Sequence, residues 1–438
     1  MLSVMTVAGS DSGGGAGVQA DTRTFAALGV HGTSVITAVT AQNTLGVQDV
    51  YHLPVDAVVA QLNAVFTDID IRCVKTGMLA TVEIGEAVAD VLSRHKVPIV
   101  VDPVMVAEAG GRLVIEEPRD VLARLLPETA VITPNIREAE AISGIAIHNL
   151  DDMKRAASEI HGLGPKSVIV TGGHLSGTDV LYDGSFELLR GKLIKGGTHG
   201  AGCTFAAAMA VFLAKGYPVN QSALMAKTFV TDAIRNSERV GSGPGAVNQF
   251  GATLHRAERY MTLLDVEAGL RTIKAINLNL IPEVGSNLAM AISGAKNLAD
   301  VAAVNGRIVK VGETITPVGC VTFGASRHVG GAILAALNHD ADMKSAMNLR
   351  YSEEAIRACQ ELNLATECFE RRQEPEATST IEWGIAHAIE RSLTQGMGVP
   401  DAIYDRGSVG KEAMVLILGH SAQQVADTVV KISSALRS

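Results

Sequence analysis

The chain has 438 residues, of which 47% are hydrophobic, 19% charged and 4% aromatic, and its formal net charge is −9. This composition predicts a folded protein of two or three domains, and it argues against nucleic acid as a partner, because phosphates and bases bind to basic and aromatic surfaces. No apolar run reaches the roughly 18–20 residues of a membrane span, and the first residues lack the pattern of a signal peptide, so we expect a cytoplasmic protein without a membrane partner.

Residues 1–240 alternate short β-branched runs with amphipathic stretches. Each β-branched run ends in a glycine or polar cluster, which is typical of a buried strand followed by a loop. The runs are SVMTVAGSD, TSVITAVT, IRCVKTGM, VPIVVDPVM, TAVITPN and KSVIVTGGH. Between them lie stretches with helical periodicity, such as DAVVAQLNAVF and IGEAVADVLSRH. The alternation predicts an α/β domain with a mostly parallel sheet flanked by helices, whose ligands bind at the carboxyl ends of the strands.

A glycine-rich segment, AGSDSGGGAGVQAD at residues 8–21, connects the first predicted strand to a helix. It does not match the dinucleotide-binding fingerprint, and it is not a P-loop, because no lysine follows the glycines. Its polar side chains are candidates for contacts with a small polar substrate: Ser10, Asp11, Ser12, Gln19 and Asp21.

A second glycine-rich segment, GGTHGAGCTF at residues 196–205, leads into the predicted helix AAAMAVFLA. A helix N-terminus carries about half a positive charge, and glycines let an anion approach closely, so the segment predicts a site for a phosphate or a developing oxyanion. The same field predicts a lowered pKa for Cys203 and a thiolate that acts as a base or nucleophile. The alternative is a helix cap with a buried thiol.

The alternation of strands and helices lapses at VGSGPGAVNQFGATLHR, where glycine, serine and proline accumulate, and then restarts. This lapse predicts a domain junction with a linker over residues 241–264. Downstream, ADVAAVNGRIVKVG and AMVLILGH are typical of strands, and EEAIRACQEL and SAQQVADTVVKISSAL are typical of helices. We therefore predict a first domain over residues 1–240 and a second α/β domain over residues 265–438.

Seven motifs of the first domain, in order, resemble the hydroxymethylpyrimidine and phosphomethylpyrimidine kinases of thiamine synthesis, which have the ribokinase fold. The motifs are AGSDSGGGAGVQAD, VTAQNTLGV, VKTGML, VVDPVM, TPNIREAE, VTGGH and THGAGCTF. The resemblance covers residues 1 to about 240. It implies two successive phosphorylations of 4-amino-5-hydroxymethyl-2-methylpyrimidine with ATP and Mg²⁺.

The same resemblance implies roles for particular residues. Gln42 matches the side chain that pairs with the aminopyrimidine edge, where an amide can donate and accept hydrogen bonds at once. Cys203 matches the catalytic residue, at a position where related sugar kinases carry aspartate. The other matches are Gly9, Asp21, Met78 and Val104 around the pyrimidine, Gly200, Ala201 and Gly202 as an anion hole, and Asp102, Asn135 and Glu138 near Mg²⁺ and the phosphates, with Asp102 and Glu138 as metal ligands.

One position departs from this family. Many relatives carry a lysine just before GGH, where this chain has Thr171, so a nucleotide bound here would lack one positive charge. Lys75 lies in the motif VKTGML, but the sequence does not place it at the phosphates.

Six segments of the second domain resemble the archaeal-type thiamine-phosphate synthase domain. They are NLAMAISGAKNLADVAAVNGRIV, FGASRHVG, SAMNLRYS, ECFERRQEP, EWGIAHAI and PDAIYDRGSVGKEAMVLILG. The resemblance implies that hydroxymethylpyrimidine diphosphate joins a thiazole phosphate and that pyrophosphate is released.

This reaction needs positive groups around the leaving diphosphate, because its departure leaves an electron-poor pyrimidine. We predict that Arg327 and His328 take this role, since they precede a helix whose N-terminus favours phosphate. Arg307 and Lys411 are further candidates for substrate binding, and Asp405 is a candidate ligand of Mg²⁺ or substrate.

Two alternatives stay open. The second domain is either a synthase or a non-catalytic sensor of thiamine phosphate. The first domain could instead be a pyridoxal kinase, which shares the fold. In each case we expect small-molecule substrates and a homo-oligomer.

Overall fold

A computed structural model describes residues 1–105, 117–173, 175, 177–276, 279–370, 380–408 and 410–437. The chain divides into two compact units, Met1–Leu254 and His255–Ser438. Parts of the motifs VTGGH, ECFERRQEP and YDRGSVGKE lie outside the described residues. Among the residues that are described, no helix is both long enough and apolar enough to cross a bilayer.

The first unit alternates strands and helices along the chain. Its strands are β1 (Ser3–Asp11), β2 (His31–Asn43), β3 (Gly46–His52), β4 (Ile71–Thr76), β5 (Ile99–Val101), β6 (Val131–Ile132), β7 (Val168–Val170), β8 (Asp179–Tyr182) and β9 (Phe186–Leu189). Its helices are α1 (Gly17–Ala27), α2 (Val55–Asp68), α3 (Val82–His95), α4 (Pro118–Leu122), α5 (Ile136–Ser143), α6 (Leu150–His161), α7 (Ala201–Ala214) and α8 (Val219–Arg235).

These strands form one sheet in the order β3-β2-β1-β4-β5-β6-β7-β8-β9. The six strands from β2 to β7 in this order pair in parallel. Strands β3, β8 and β9 pair antiparallel at the two edges. The fold class predicted for the first domain, a mostly parallel sheet flanked by helices, is confirmed.

Helices cover both faces of this sheet, because neighbouring residues of a strand point to opposite sides. Val4 belongs to a buried cluster with Phe25 of α1 and Phe205 of α7. The next residue, Met5, belongs to a different buried cluster, which includes Leu62 of α2. With both faces covered, the carboxyl edge of the parallel strands is the place for a ligand site.

Helix α9 (Gly251–Lys274) begins at the end of the first unit, and most of its residues belong to the second unit. The strands of the second unit are β10 (Leu288–Ala291), β11 (Val301–Val304), β12 (Ile308–Val311), β13 (Thr314–Pro317), β14 (Val321–Phe323), β15 (Ser345–Arg350), β16 (Thr366–Cys368), β17 (Ala402–Asp405) and β18 (Met414–Gly419). Its helices are α10 (Arg327–Leu337), α11 (Glu353–Glu361), α12 (Thr380–Thr394) and α13 (Ala422–Ala435).

The second unit has a mixed sheet in the order β14-β11-β10-β15-β18-β17-β16, beside a hairpin of β12 and β13. Strands β16 and β17 are parallel, and the other neighbours are antiparallel. Leu288 packs in a cluster with Val425 of α13, whereas Ala289 belongs to a cluster with Val329 of α10. The predicted α/β class is therefore confirmed, with a sheet that is mainly antiparallel.

Residues 241–264, predicted to link the domains, are only partly irregular. The glycine- and proline-rich part forms no helix, but α9 begins at Gly251. From there on, alanine, leucine, arginine and glutamate predominate, and these residues favour helix because they lose little freedom in it.

Candidate active sites

Most of the predicted site residues of the first unit lie at the carboxyl ends of adjacent parallel strands, or in the loop or first helical turn that follows the strand. These residues are Gly9, Gln42, Met78, Asp102, Val104, Asn135, Glu138 and Thr171. Two of them are in close contact, since a Cβ atom at Gly9 would stand 3.0 Å from Met78 Sδ. The topology thus brings the members of several distant motifs to one edge of the sheet.

Gln42 is half-buried at the end of β2, and its backbone is fixed by Ser12. The Ser12 hydroxyl accepts a hydrogen bond from Gln42 N–H at 2.8 Å and donates one to Gln42 C=O at 2.7 Å. The side-chain Oε1 of Gln42 accepts from Thr40 Oγ1 at 3.1 Å. Ser12, a candidate for substrate contact, therefore holds the loop that carries Gln42.

Asp11 organises the first glycine-rich loop from within. Its carboxylate accepts hydrogen bonds from the N–H groups of Gly13 at 2.8 Å, Gly15 at 3.0 Å and Ala16 at 2.8 Å. Its Oδ2 lies 3.2 Å from Nε2 of His199. Burial acts to raise the pKa of Asp11, but His199 and the loop N–H groups outweigh it, so the pKa lies below its ordinary value. His199 was not singled out from the sequence, although it stands inside THGAGC.

The two glycine-rich loops lie against each other, and glycine is required where they meet. A Cβ atom at Gly15 would stand 2.0 Å from His199 Cδ2. Gly200 has φ of +83°, and a Cβ atom there would stand 1.9 Å from Gly15 O. These contacts place the start of α7 beside the loop that follows β1.

The first turn of α7 carries the predicted anion hole. Gly200 is the N-cap residue, and Ala201 N–H already donates to Thr198 C=O at 2.8 Å. The N–H groups of Gly202 and Cys203 belong to the first turn, where an α-helix provides no acceptor. Gly202 is exposed, with open space where a Cβ atom would be. These two amides are therefore better placed than that of Ala201 to receive an anion.

The predicted lowering of the Cys203 pKa is wrong. Although the residue as a whole is half-buried, burial of the thiol raises its pKa above the ordinary value. The charge of Lys75 and a hydrogen bond from Gly17 N–H offset only part of that rise. Removing a thiolate from water costs more free energy than the helix N-terminus and the charge of Lys75 supply, so the thiol form is favoured. Cys203 is accordingly a thiol at neutral pH.

Asp21, predicted to lie around the pyrimidine, is fully buried beneath this edge. Its Oδ2 accepts hydrogen bonds from Thr6 Oγ1 at 2.6 Å and from Lys75 Nζ at 3.0 Å. Lys75 Nζ also lies 3.3 Å from Asp102 Oδ2. Burial by itself lowers the pKa of Lys75, but the carboxylates of Asp21 and Asp102 raise it more, so this lysine stays charged.

Asn135 and Glu138 form a capping box at the start of α5. Asn135 Oδ1 accepts from Glu138 N–H at 3.0 Å, and Glu138 Oε2 accepts from Asn135 N–H at 2.9 Å. Burial and the charge of Asp102 raise the pKa of Glu138 to about 8. The pair thus has a structural role that its spacing also predicts.

The acidic residues of this edge fit a magnesium ion that arrives with nucleotide phosphates. Asp102 Oδ2 is buried and accepts no hydrogen bond from the described residues. No group of three acidic, histidine or cysteine side chains forms a complete metal site in the part of the chain that the structure describes. Mg²⁺ typically binds to one or two carboxylates together with phosphates and water, which matches Asp102 with Glu138 nearby.

A pocket of about 350 Å³, which we call the loop pocket, adjoins the second glycine-rich segment. Its lining residues are Gly196, Gly197, Thr198, Ser237, Glu238, Arg239, Gly243, Pro244 and Gly245. The sequence analysis missed it, because VGSGPG was interpreted as the start of a linker. Thr171, whose N–H donates to Pro134 C=O at 2.9 Å, is not among the lining residues.

In the second unit, the five predicted residues line a single cavity of about 590 Å³, which we call the synthase cavity. They are Arg307, Arg327, His328, Asp405 and Lys411. Helix α10 begins at Arg327, so its N-terminal amides face the same cavity. Arg307 has φ of +84°, a strained value for a side-chain-bearing residue, and its guanidinium donates to Val284 C=O.

The floor of the synthase cavity is polar in one part and apolar in another. Asp405 is buried, and its Oδ1 accepts from Gly407 N–H at 2.8 Å. Ser286 is buried too, and its hydroxyl has no hydrogen-bond partner among the described residues. Apolar side chains such as Phe369 and Leu416 complete the lining. The lining thus combines charged side chains with apolar ones.

Two protein families match this chain. The family described as phosphomethylpyrimidine kinase matches residues 11–248. The family described as thiamine-phosphate synthase ThiN matches residues 265–431. Together they cover both units.

Relatives support the same division. The chain is 30% identical to the bifunctional thiamine biosynthesis protein ThiDN of Methanocaldococcus jannaschii over 424 residues, which is 96% of each chain. It is 47% identical to the hydroxymethylpyrimidine/phosphomethylpyrimidine kinase of Streptomyces coelicolor over 250 residues, 56% of this chain and 93% of that protein. It is 46% identical over 255 residues to the bifunctional protein ThiED of Geobacter sulfurreducens, and this match covers 57% of the chain but only 52% of that protein.

Among solved structures, an ADP complex of Bacillus subtilis pyridoxal kinase is similar to the chain with a TM-score of 0.54 and 39% sequence identity. The match covers 58% of this chain and 99% of that chain. The ribokinase-like fold expected from the motifs is thereby confirmed.

Proposed function

The chain belongs to the family of bifunctional thiamine-biosynthesis proteins that join a phosphomethylpyrimidine kinase to a thiamine-phosphate synthase, and we propose how its two units divide the reactions. The first unit transfers the terminal phosphoryl group of ATP to the hydroxyl of hydroxymethylpyrimidine, and then adds a second phosphoryl group to that product. The second unit joins the resulting diphosphate to a thiazole phosphate and releases pyrophosphate.

The observation that carries the kinase assignment is the meeting of α7 with the carboxyl edge of the sheet. The amides of Gly202 and Cys203 are aimed to hold the oxygens of the transferred phosphoryl group. Asp102, with Glu138 beside it, would hold Mg²⁺, which neutralises phosphate charge when it is bound. The thiolate form of Cys203, a small fraction near neutral pH, accepts the proton of the attacking hydroxyl while the hydroxyl oxygen bonds to the terminal phosphorus and ADP leaves.

The nucleotide would bind in the loop pocket, whose lining residues Gly196, Gly197 and Thr198 lie just before the N-cap Gly200 of α7. Arg239 at this pocket carries a positive charge that can pair with a phosphate. A pocket built from backbone and small residues suits the flat base and the sugar of ATP. The pyrimidine substrate would lie on the opposite side, against Gln42, Gly9, Met78 and Val104.

The observation that carries the synthase assignment is the convergence of positive groups on one cavity. Arg327 and His328 at the N-terminus of α10 would hold the diphosphate as it leaves, with Arg307 and Lys411 around the second phosphate. Asp405 lies deeper and would bind the amino group of the pyrimidine or a magnesium ion.

A coupled assay tests both assignments. The full chain is supplied with hydroxymethylpyrimidine, ATP and Mg²⁺, and the monophosphate and diphosphate should appear in turn. Adding thiazole phosphate should then convert the diphosphate to thiamine phosphate. If the diphosphate formed but no thiamine phosphate followed, and the chain bound thiamine phosphate tightly, the second unit would be a sensor instead.

The likeness to solved pyridoxal kinases favours one alternative substrate for the first unit. Turnover of pyridoxal and of hydroxymethylpyrimidine should therefore be compared under the same conditions. We expect the pyrimidine to be preferred, because Gln42 can donate to and accept from its amine and ring nitrogen.

A further inference from the structure

Lys75 is the positive member of a buried charge cluster beneath the kinase site. Its side chain is fully buried, and its Nζ lies 3.0 Å from Asp21 Oδ2 and 3.3 Å from Asp102 Oδ2. An ammonium group is rarely buried without opposite charges, because removing it from water is costly. The two carboxylates therefore compensate the cost of burying the ammonium group of Lys75.

The cluster links three elements of the first unit. Asp21 lies on α1, Lys75 on β4, and Asp102 directly after β5. Asp21 Oδ2 also accepts a hydrogen bond from Thr6 Oγ1 at 2.6 Å. Asp102 Oδ2 lacks a hydrogen bond from the described residues, so the charge of Lys75 is what holds that carboxylate in place. Lys75 thus lies between a carboxylate of α1 and a carboxylate at the carboxyl end of β5.

The charge of the same ammonium group also acts on Cys203, in the first turn of α7. Burial raises the pKa of the Cys203 thiol, and the charge of Lys75 offsets part of that rise. Gly77 gives the ammonium its space, since a Cβ atom there would stand 3.0 Å from Lys75 Nζ. Because Lys75 is fully buried, it cannot touch the phosphates, and it does not replace the lysine that many relatives carry at the position of Thr171.

We propose that Lys75 is a positioning residue of the kinase, an inference that rests on the proposed function. Its ammonium group, which pairs with Asp21 and Asp102, keeps the Asp102 carboxylate in the orientation in which it would bind a phosphate-borne Mg²⁺. Groups that orient the ligands of a metal in this way typically change activity or metal affinity by about 10- to 100-fold when they are removed.

The test compares three variants of the full chain. Lys75→Met removes the charge, and Lys75→Met with Asp21→Asn removes it together with an opposite charge, which avoids an uncompensated buried carboxylate. Thr6→Val is the matched control, because it takes a hydrogen bond from the same Asp21 oxygen but leaves Lys75 between both carboxylates. Each variant is assayed for kcat of pyrimidine phosphorylation, for the half-saturating Mg²⁺ concentration, and for synthase turnover of supplied hydroxymethylpyrimidine diphosphate. The Kd of ADP with and without Mg²⁺ is also measured by calorimetry, and Mg²⁺ should strengthen ADP binding less in the Lys75 variants than in the unmutated chain.

We expect both Lys75 variants to lose about 10- to 100-fold in kcat and to need more Mg²⁺ for half the maximal rate. Their synthase turnover should be normal, and Thr6→Val should keep the kcat of the unmutated chain. A double variant with normal kcat and normal Mg²⁺ requirement would overturn the proposal, because the pair would then serve the fold alone. If the unmutated chain phosphorylated no pyrimidine at all, the proposed function itself would fail, and this inference with it.

Discussion

The first unit forms its candidate site largely from backbone groups and buried charges, whereas the second unit forms its site largely from side chains that line a cavity. In the first unit, backbone amides, glycines in close contact and buried charges shape the site, as the pairs Gly15–Gly200 and Lys75–Asp21 show. In the second unit, side chains such as Arg307 and Arg327 line a cavity of about 590 Å³. A backbone site demands particular residues at particular angles, whereas a side-chain site demands only that suitable groups converge.

This difference separates the two activities in mutational experiments. A charge removed from the synthase cavity should stop one reaction and leave the fold and the other unit alone. A substitution at the carboxyl edge of the first unit should affect phosphoryl transfer alone if it leaves the contacts between the two glycine-rich loops intact. A substitution that breaks those contacts should also disturb the fold. The predictions below test this separation, beginning with the largest effect.

Arg327→Ala should stop thiamine phosphate formation and leave both kinase steps unchanged. A guanidinium group at the N-terminus of α10 is suited to bind the leaving diphosphate bidentately. Losing such a preorganised contact costs about 2.7–4 kcal/mol, or 10²–10³ in rate. In the coupled assay, hydroxymethylpyrimidine diphosphate should accumulate. Thiamine phosphate formed at the normal rate would show that Arg327 does not hold the leaving group.

Cys203→Ala should lower the rate of both kinase steps by about 10²-fold or more, the range of lost general-base catalysis. The free energy of unfolding should change by little more than about 1 kcal/mol, since the residue is small and lies at a helix start. Synthase turnover of supplied diphosphate should be normal and serves as the control. Kinase rates close to those of the unmutated chain would show that the segment around Cys203 is only a helix cap with a buried thiol.

Gln42→Ala should raise KM for the pyrimidine and leave KM for ATP nearly unchanged. Removing the amide leaves polar groups of the bound ring unsatisfied, which costs about 1–3 kcal/mol. Initial rates with each substrate varied in turn measure both constants. A parallel rise of the two would mean that Gln42 shapes the loop fixed by Ser12 rather than binding the ring.

The pH dependence of the kinase offers a smaller but more diagnostic effect. Burial raises the pKa of Cys203, so the thiolate fraction is small at neutral pH and grows as pH rises. If Cys203 accepts the proton, kcat should increase by up to about tenfold per pH unit on the alkaline side of neutrality. Cys203→Asp should shift this rise to lower pH, because a carboxyl group ionises more readily. A profile that is identical in the two proteins would exclude Cys203 as the titrating group.

The sequence was a good guide to the backbone site. Glycine is required at positions 15 and 200, because a Cβ atom would stand 2.0 Å from His199 Cδ2 and 1.9 Å from Gly15 O, respectively. Such requirements leave a motif that can be recognised without a structure. The parallel order of the strands also followed from the alternation of buried runs and helices. The family comparisons confirmed the two activities that these motifs indicated.

The pKa of Cys203 and the ion pairs of Lys75 could not be predicted from the sequence. The pKa of Cys203 depends on burial against the charge of Lys75, and the partners of Lys75 come from positions 21 and 102. The loop pocket was missed for a related reason, because the segment around Pro244 has the composition of a linker but folds back onto Gly197. Contacts between distant segments leave no periodic signal in the chain.

The most direct test of two separate sites is complementation between two defective chains. Cys203→Ala and Arg327→Ala are each supplied with hydroxymethylpyrimidine, thiazole phosphate, ATP and Mg²⁺, first alone and then mixed in equal amounts. Each variant alone should form almost no thiamine phosphate, whereas the mixture should form it readily, because the diphosphate made by the Arg327 variant can diffuse to the intact synthase cavity of the Cys203 variant. A mixture as inactive as its components would contradict the account.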